Sequence, residues 1–175
     1  MKTLIFFLTL FTAFPALSFD NDTAGTSGDV LRILLPAAAY SATVVNNDKE
    51  GGKEFLKSFS ANIATTYSLK EFIKKDRPDG SGDDSFPSGH ASMAFQAASF
   101  LQERYGRMYG MPAYALAAYT SWTRLAVDEH DIEDVSVGAA LGIASGLIFT
   151  SPSGKAVLFP LIGRQTFGLS FSARW

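Results

Sequence analysis

The chain has 175 residues, 47 % hydrophobic and 18 % charged, which suits one domain with its own core and leaves little room for disorder. It contains no cysteine, which excludes disulfides and thiolate metal sites. A formal charge of −2 with no basic stripe gives nucleic acid no electrostatic footing.

Residues 1–18 read as an export signal. Lys2 supplies a positive start, residues 4–14 are apolar or threonine, Pro15 breaks the run, and Ala16 and Ser18 are the small residues a signal peptidase reads. The apolar run is too short for a bilayer core of about 30 Å. The mature chain is therefore expected to begin at Phe19 and, in a bacterium, to be released to the periplasm, with residues 19–175 forming one domain.

Residues 20–28 are polar and contain glycine, a flexible lead-in. A first helix is expected over 29–45, ended by Asn46-Asn47-Asp48 and the pair Gly51-Gly52. A second is expected over 53–75. Its apolar residues Leu56, Phe59, Ile63 and Tyr67 share one face by their spacing, and Lys70 falls on that same inward face. Pro78 stops it, and 79–86 is a loop rich in glycine, serine and aspartate. A third helix over 88–105 ends at Gly106, and Pro112 opens a fourth that reaches about residue 127. The acidic stretch 128–134 leads into a fifth helix ending near Thr150. Its Gly138, Gly142 and Gly146 recur every four residues and make a smooth face for a close neighbour. Beyond it, 157–162 and the alternation of Phe167, Leu169, Phe171 and Trp175 suggest a short hairpin joined around Gly163.

The expected fold is all-α: a single helical bundle of about five core helices, capped by that hairpin. A lone hairpin is no outer-membrane barrel, which needs about eight or more strands. Only residues 135–154 form a charge-free run approaching the ~20 residues that cross a bilayer, so a soluble or surface-associated protein is expected.

Three segments carry chemistry. In the first, Lys70 and Arg77 lie seven residues apart, two helical turns, so both cations can project from one side of a helix end; Lys74 and Lys75 read as solvated. In the second, Phe86-Pro87-Ser88-Gly89-His90, serine is a good N-cap, and a helix start with free N–H groups binds anions. In the third, residues 124–134, helical spacing would stack His130 and Asp134, so the carboxylate can hold the imidazole and leave its other nitrogen a lone pair. Asp128, Glu129, Asp131 and Glu133 read as a surface acidic cluster.

Together the segments resemble the type 2 phosphatidic acid phosphatase family, related to class A acid phosphatases and vanadium haloperoxidases. The family pattern is met by Lys70, Arg77 and Pro78, then by Pro87, Ser88, Gly89 and His90, then by Arg124, His130 and Asp134, with Thr123 where serine is usual. The match covers residues 70–134. The resemblance implies a phosphatase working on a phosphorylated small molecule or lipid without metal or other cofactor. His130 is the nucleophile, Asp134 orients it, and His90 is the acid and base. Lys70, Arg77, Ser88, Gly89 and Arg124 bind phosphate. A neutral His130 and a protonated His90 imply activity that peaks in pH. The competing readings are a vanadate-dependent haloperoxidase, a metal hydrolase built on His90, His130 and Asp134, and a non-catalytic phosphate-binding envelope protein. Neither the substrate nor the oligomeric state is legible.

Overall fold

The helices begin earlier than turn residues alone suggest, because glycines here serve close packing rather than turns. The computed structural model describes residues 21–153 and the backbone of 157–163 and 166–172; the export signal read at residues 1–18 lies outside the described residues. The elements are α1 (Asn21–Val45), α2 (Lys49–Phe72), α3 (Gly89–Tyr105), α4 (Arg107–Ala126) and α5 (Ile132–Phe149), followed by β1 (Val157–Gly163) and β2 (Thr166–Ser172). The strands pair antiparallel from Val157 against Ser172 to Gly163 against Thr166. The expected all-α bundle with a terminal hairpin is what forms.

Several boundaries differ from expectation. Residues 21–28 are helical, not a flexible lead-in. A Cβ at Gly28 would lie 2.2 Å from Thr123 Oγ1 and 2.4 Å from Arg124 Nη2, so the glycine admits α4 against α1. Gly51 lies inside the first turn of α2, where its N–H meets the N-cap Asp48 Oδ1 at 3.1 Å. Helix α4 starts at once from Gly106, whose carbonyl accepts Tyr109 and Gly110 N–H. Pro112 therefore sits inside the helix rather than at its start.

Helix α3 is the axis of the bundle and packs against α1, α2, α4 and α5. Its small residues Ala91, Ala94, Ala97 and Ala98 are buried, and Phe100 packs edge-on to Phe55 with ring centroids 5.1 Å apart. On α5, Cβ atoms at Gly138 and Gly142 would come within 2.4 Å of Ser88 O and 2.3 Å of Ser92 O, so glycine at these positions sets the spacing of α3 and α5.

The buried face of α2 is only partly the apolar stripe: Phe59 packs against the core and Ile63 is half-buried, and Lys70 faces inward as expected. Leu56 and Tyr67 are exposed, while Phe55, Ser58, Asn62, Thr66 and Lys70 point inward. Small polar groups bond across the helices there: Thr66 Oγ1 lies 2.7 Å from Ser92 Oγ, Ser92 and Ser145 donate to Asn62 Oδ1, and Gln96 donates to Ser58. Outside, Val45 (79 % exposed), Ile33 (66 %) and Ile148 (72 %) face outward. Both α1, over Asp22–Val45, and α5 are long and apolar enough to cross a membrane. Polar contacts inside and aliphatic side chains outside are the pattern of helices packed in lipid, which fits association with a membrane.

Candidate active site

Successive helices run in alternate directions, so the ends of α2 and α4 meet the starts of α3, α5 and α1. Every residue singled out in the sequence lies at that one end. Ser88 caps α3, accepting from Ala91 N–H at 3.5 Å, and its own N–H donates to Asp134 O at 2.9 Å. The starts of α3 and α5 are thereby tied together.

His130 is buried, but it precedes α5 rather than lying on it, so its pairing with Asp134 is not a helical stack. Asp131 is the N-cap, accepting from Glu133 and Asp134 N–H, while Asp134 Oδ2 accepts Asp131 N–H at 3.0 Å. That reciprocal capping box fixes the Asp134 carboxylate. His130 Nδ1 then lies 3.6 Å from Asp134 Oδ2 and 3.3 Å from Ser85 Oγ, and Ser85 donates to the same carboxylate oxygen at 2.5 Å. With Nδ1 so engaged, Nε2 is the free nitrogen. Lys75 is not solvated: it donates to Asp134 Oδ1 at 2.8 Å and to Asp131 at 2.7 Å. Lys74, as expected, pairs with exposed Glu71 alone among the described residues.

Helix α2 ends at Phe72, so Arg77 is carried by a loop rather than by the helix. Lys75 N–H bonds Asp83 O, Ser85 N–H bonds Lys75 O, and Arg77 N–H bonds Gly82 O, closing that loop back on itself. Arg77 Nε then donates to Asp84 Oδ1 at 2.9 Å, and Lys70 donates to the Asp84 carbonyl. Arg124 is wholly buried. Its Nη2 donates to Gly25 O at 2.6 Å and its Nε to Thr123 Oγ1 at 3.2 Å. Its Nη1 meets Glu129 Oε2 at 3.1 Å, Asp29 Oδ1 at 3.4 Å and His90 Nε2 at 3.4 Å. His90 Nε2 also lies 2.7 Å from Asp29 Oδ1. Gly89 leaves its backbone open to Lys70, whose Cε would sit 3.9 Å from an added Cβ.

Burial pushes both imidazoles down to about 4. At His130 the charges of Lys70 and Arg77 push the same way, and Asp134 opposes them. At His90 the Asp29 hydrogen bond opposes burial, and Arg124 assists it. The expected protonated His90 is therefore neutral near pH 7 before any phosphate charge arrives. Burial also lowers the Lys70 pKa, against the pull of Asp84.

One ligand atom each from His90, Glu129 and His130 lie within 4.8 Å of one another, so the two imidazoles face each other across a small gap. The trio close enough to share a cation thus differs from that read in sequence, since Asp134 stands behind His130. The carboxylate in the trio is already paired with Arg77 and Arg124. Asp29, Lys75, Asp84, Ser85 and Glu129 are the site residues the sequence reading missed. Ser85 and Asp84 lie just ahead of the Pro-Ser-Gly-His segment, but nothing in the sequence ties Asp29 to residues about sixty and ninety-five positions away.

The bundle thus gathers at one end two facing histidines, a carboxylate behind one of them and the basic side chains of Lys70, Arg77 and Arg124, an arrangement able to seat a phosphoryl group. The PAP2 superfamily model matches residues 51–156, and the chain belongs to that superfamily. It is 30 % identical over 166 residues to the lipid A 4'-phosphatase of Helicobacter pylori, covering 85 % of this chain and 83 % of that one. It is 37 % identical over 89 residues to the lipid A 1-phosphatase of Porphyromonas gingivalis, covering 45 % of this chain and 20 % of the relative. The crystal structure of Aquifex aeolicus LpxE shares the fold, with a TM-score of 0.64 at 23 % identity over 83 % of this chain and 92 % of that one. The protein is a phosphoric monoester hydrolase of the PAP2 type.

Proposed function

We propose that the chain is a membrane-associated lipid phosphatase that works through a phosphohistidine at His130. The facing of His90 and His130 beside Arg77 and Arg124 carries this reading. The lipid substrate is supported by the lipid A phosphatases among its relatives and by the aliphatic exterior of the bundle. Export through residues 1–18, with the site working on the periplasmic side, belongs to the same reading.

In the first step the His130 Nε2 lone pair attacks phosphorus, the ester P–O bond breaks, and His90 gives its proton to the departing oxygen. In the second step His90 takes a proton from water as the water oxygen attacks phosphorus. The P–N bond breaks, phosphate leaves and both imidazoles are restored. Asp134, held by Lys75, Ser85 and its own capping box, keeps Nδ1 of His130 engaged throughout. Lys70, Arg77, Arg124, Ser88 and the Gly89 N–H carry the phosphoryl oxygens. Charge-assisted bonds of this kind are each worth about 1.5–3 kcal/mol and strengthen as phosphorus becomes five-coordinate.

The test is hydrolysis of a panel of lipid phosphates and soluble phosphomonoesters by the purified full-length protein, with His130→Ala as control. Lipid phosphates are expected to be the better substrates by kcat/KM, and His130→Ala to lose about three or more orders of magnitude. Full activity in His130→Ala would refute the nucleophile, and a preference for soluble esters would refute the lipid substrate.

A further inference from the structure

Two acidic side chains stand where the proposed chemistry needs phosphate. Glu129 Oε2 lies 3.1 Å from Arg124 Nη1 and 3.4 Å from Arg77 Nη1. It bridges two of the three cations assigned to the phosphoryl oxygens. Asp29 Oδ1 lies 3.4 Å from the same Arg124 nitrogen and 2.7 Å from His90 Nε2, where a departing ester oxygen has to collect its proton. A terminal guanidinium nitrogen has two N–H groups. When two carboxylates take both at Arg124 Nη1, none remains there for a phosphoryl oxygen.

These carboxylates differ in kind from Asp134. The Asp134 side chain is fully buried and held by Lys75, Ser85 and Asp131 N–H, so it is a fixed part of the frame. The Asp29 side chain is 58 % exposed and that of Glu129 26 % exposed, so each can swing toward water without a desolvation cost. They also come from separate elements, α1 and the loop ahead of α5. Their combined charge of two matches the dianion that a phosphomonoester becomes above its second pKa of about 6.

We propose that Asp29 and Glu129 act as an internal stand-in for the phosphoryl group, which every incoming phosphate must displace and which returns to expel product phosphate. The proposal rests on the reading of Arg77 and Arg124 as the phosphate seat. Apparent affinity for any phosphate is the intrinsic affinity reduced by the fraction of molecules whose seat is clear. The two carboxylates therefore set KM and product inhibition together, and no metal or further reactant enters.

The experiment measures competitive inhibition by inorganic phosphate of para-nitrophenyl phosphate hydrolysis, using purified full-length protein. The variants are Glu129→Gln, Glu129→Asp and Asp29→Asn, with thermal unfolding as a check on each. The phosphate inhibition constant is expected to fall about tenfold in Glu129→Gln and less in the more exposed Asp29→Asn. Glu129→Asp, which keeps the charge but cannot span both guanidiniums, should fall in between, with KM moving the same way. An unchanged or weaker inhibition constant in both Glu129→Gln and Asp29→Asn overturns the proposal. Weaker phosphate binding and a displaced pH optimum in Asp29→Asn make that residue a partner that positions His90, which overturns its half. Turnover lost on chelation would make Glu129 a metal ligand beside His90 and His130, and also overturns it. The underlying phosphate seat fails separately, if wild-type turnover is insensitive to phosphate and survives His130→Ala. Should Glu129→Gln fail to fold, Asp29→Asn on the exposed flank decides the matter alone.

Discussion

His130 must be neutral to attack, and His90 must be protonated to release the leaving group. In the free protein both titrate near pH 4, because burial, with neighbouring cations, disfavours the imidazolium of each. The productive fraction is the product of one protonated and one neutral form, so it peaks where both titrate. Above that pH it falls about tenfold per unit, as His90 loses its proton. The kcat/KM profile is therefore expected to have its optimum well on the acid side of neutrality, near pH 4–5. The kcat profile should extend to higher pH, because a bound phosphate dianion stabilises the His90 imidazolium. Initial rates between pH 3.5 and 8 check this, and a kcat/KM optimum above pH 7 would contradict it. The motif residues were legible in the sequence because their order and spacing are distinctive. Their partners were not. Lys75 looked like one more solvated lysine at a helix end, yet it donates to Asp134. Glu129 looked like part of a surface cluster, yet it lies on Arg124. A side chain's role here depends on which other chain segment it meets, and local pattern carries no record of that.

At the scale of elements, the number and order of helices followed from periodicity and turn residues, whereas their ends did not. Glycine pairs signal turns in isolation. Here Gly28 and Gly51 lie within helices, where a larger residue would strike Arg124 or Asp48. The regular glycines of α5 were read correctly as a contact face, and they supply a graded test. Gly138→Ala places a methyl 2.4 Å from Ser88 O, beside the hydrogen bond that joins the starts of α3 and α5, whereas Gly146→Ala meets the Ser99 side chain 2.4 Å away, two turns further on. Overpacking of this sort costs about 1–3 kcal/mol. Both variants should unfold at lower temperature. Only Gly138→Ala should also lose kcat, since it alone shifts the frame of the site. Equal kcat in the two variants would show that the α3–α5 spacing does not set the site.

For the whole molecule, the expected surface association agrees with the apolar exterior, whereas Leu56 and Tyr67 of α2, expected inside, are exposed. Much of the interior is instead small and polar and much of the exterior is aliphatic, an arrangement that hydrophobic periodicity reads backwards. Stability at the end remote from the site then depends on a second ionic cluster. Arg104 donates to both oxygens of Asp48 at 2.6 and 2.7 Å, to Glu54 at 3.1 Å and to Ser151 O at 2.9 Å, and Tyr105 adds its hydroxyl to Asp48. Arg104→Met leaves the buried Asp48 without its counter-charge and is expected to cost about 3–5 kcal/mol. The roughly 24 Å length of α3 keeps that damage away from the imidazoles. Denaturant unfolding should show the loss while the folded fraction keeps its kcat/KM, and an unaltered midpoint would contradict it.

The grip of α1 on Arg124, through the carbonyl of Gly25 and the notch at Gly28, has a consequence for how the protein is divided. The PAP2 superfamily model starts at residue 51, after that helix has ended. A fragment cut to residues 51–156 would keep all three signature segments and lose the brace on the wholly buried Arg124. The signature segments alone are therefore shorter than the working site, which draws on the helix ahead of them.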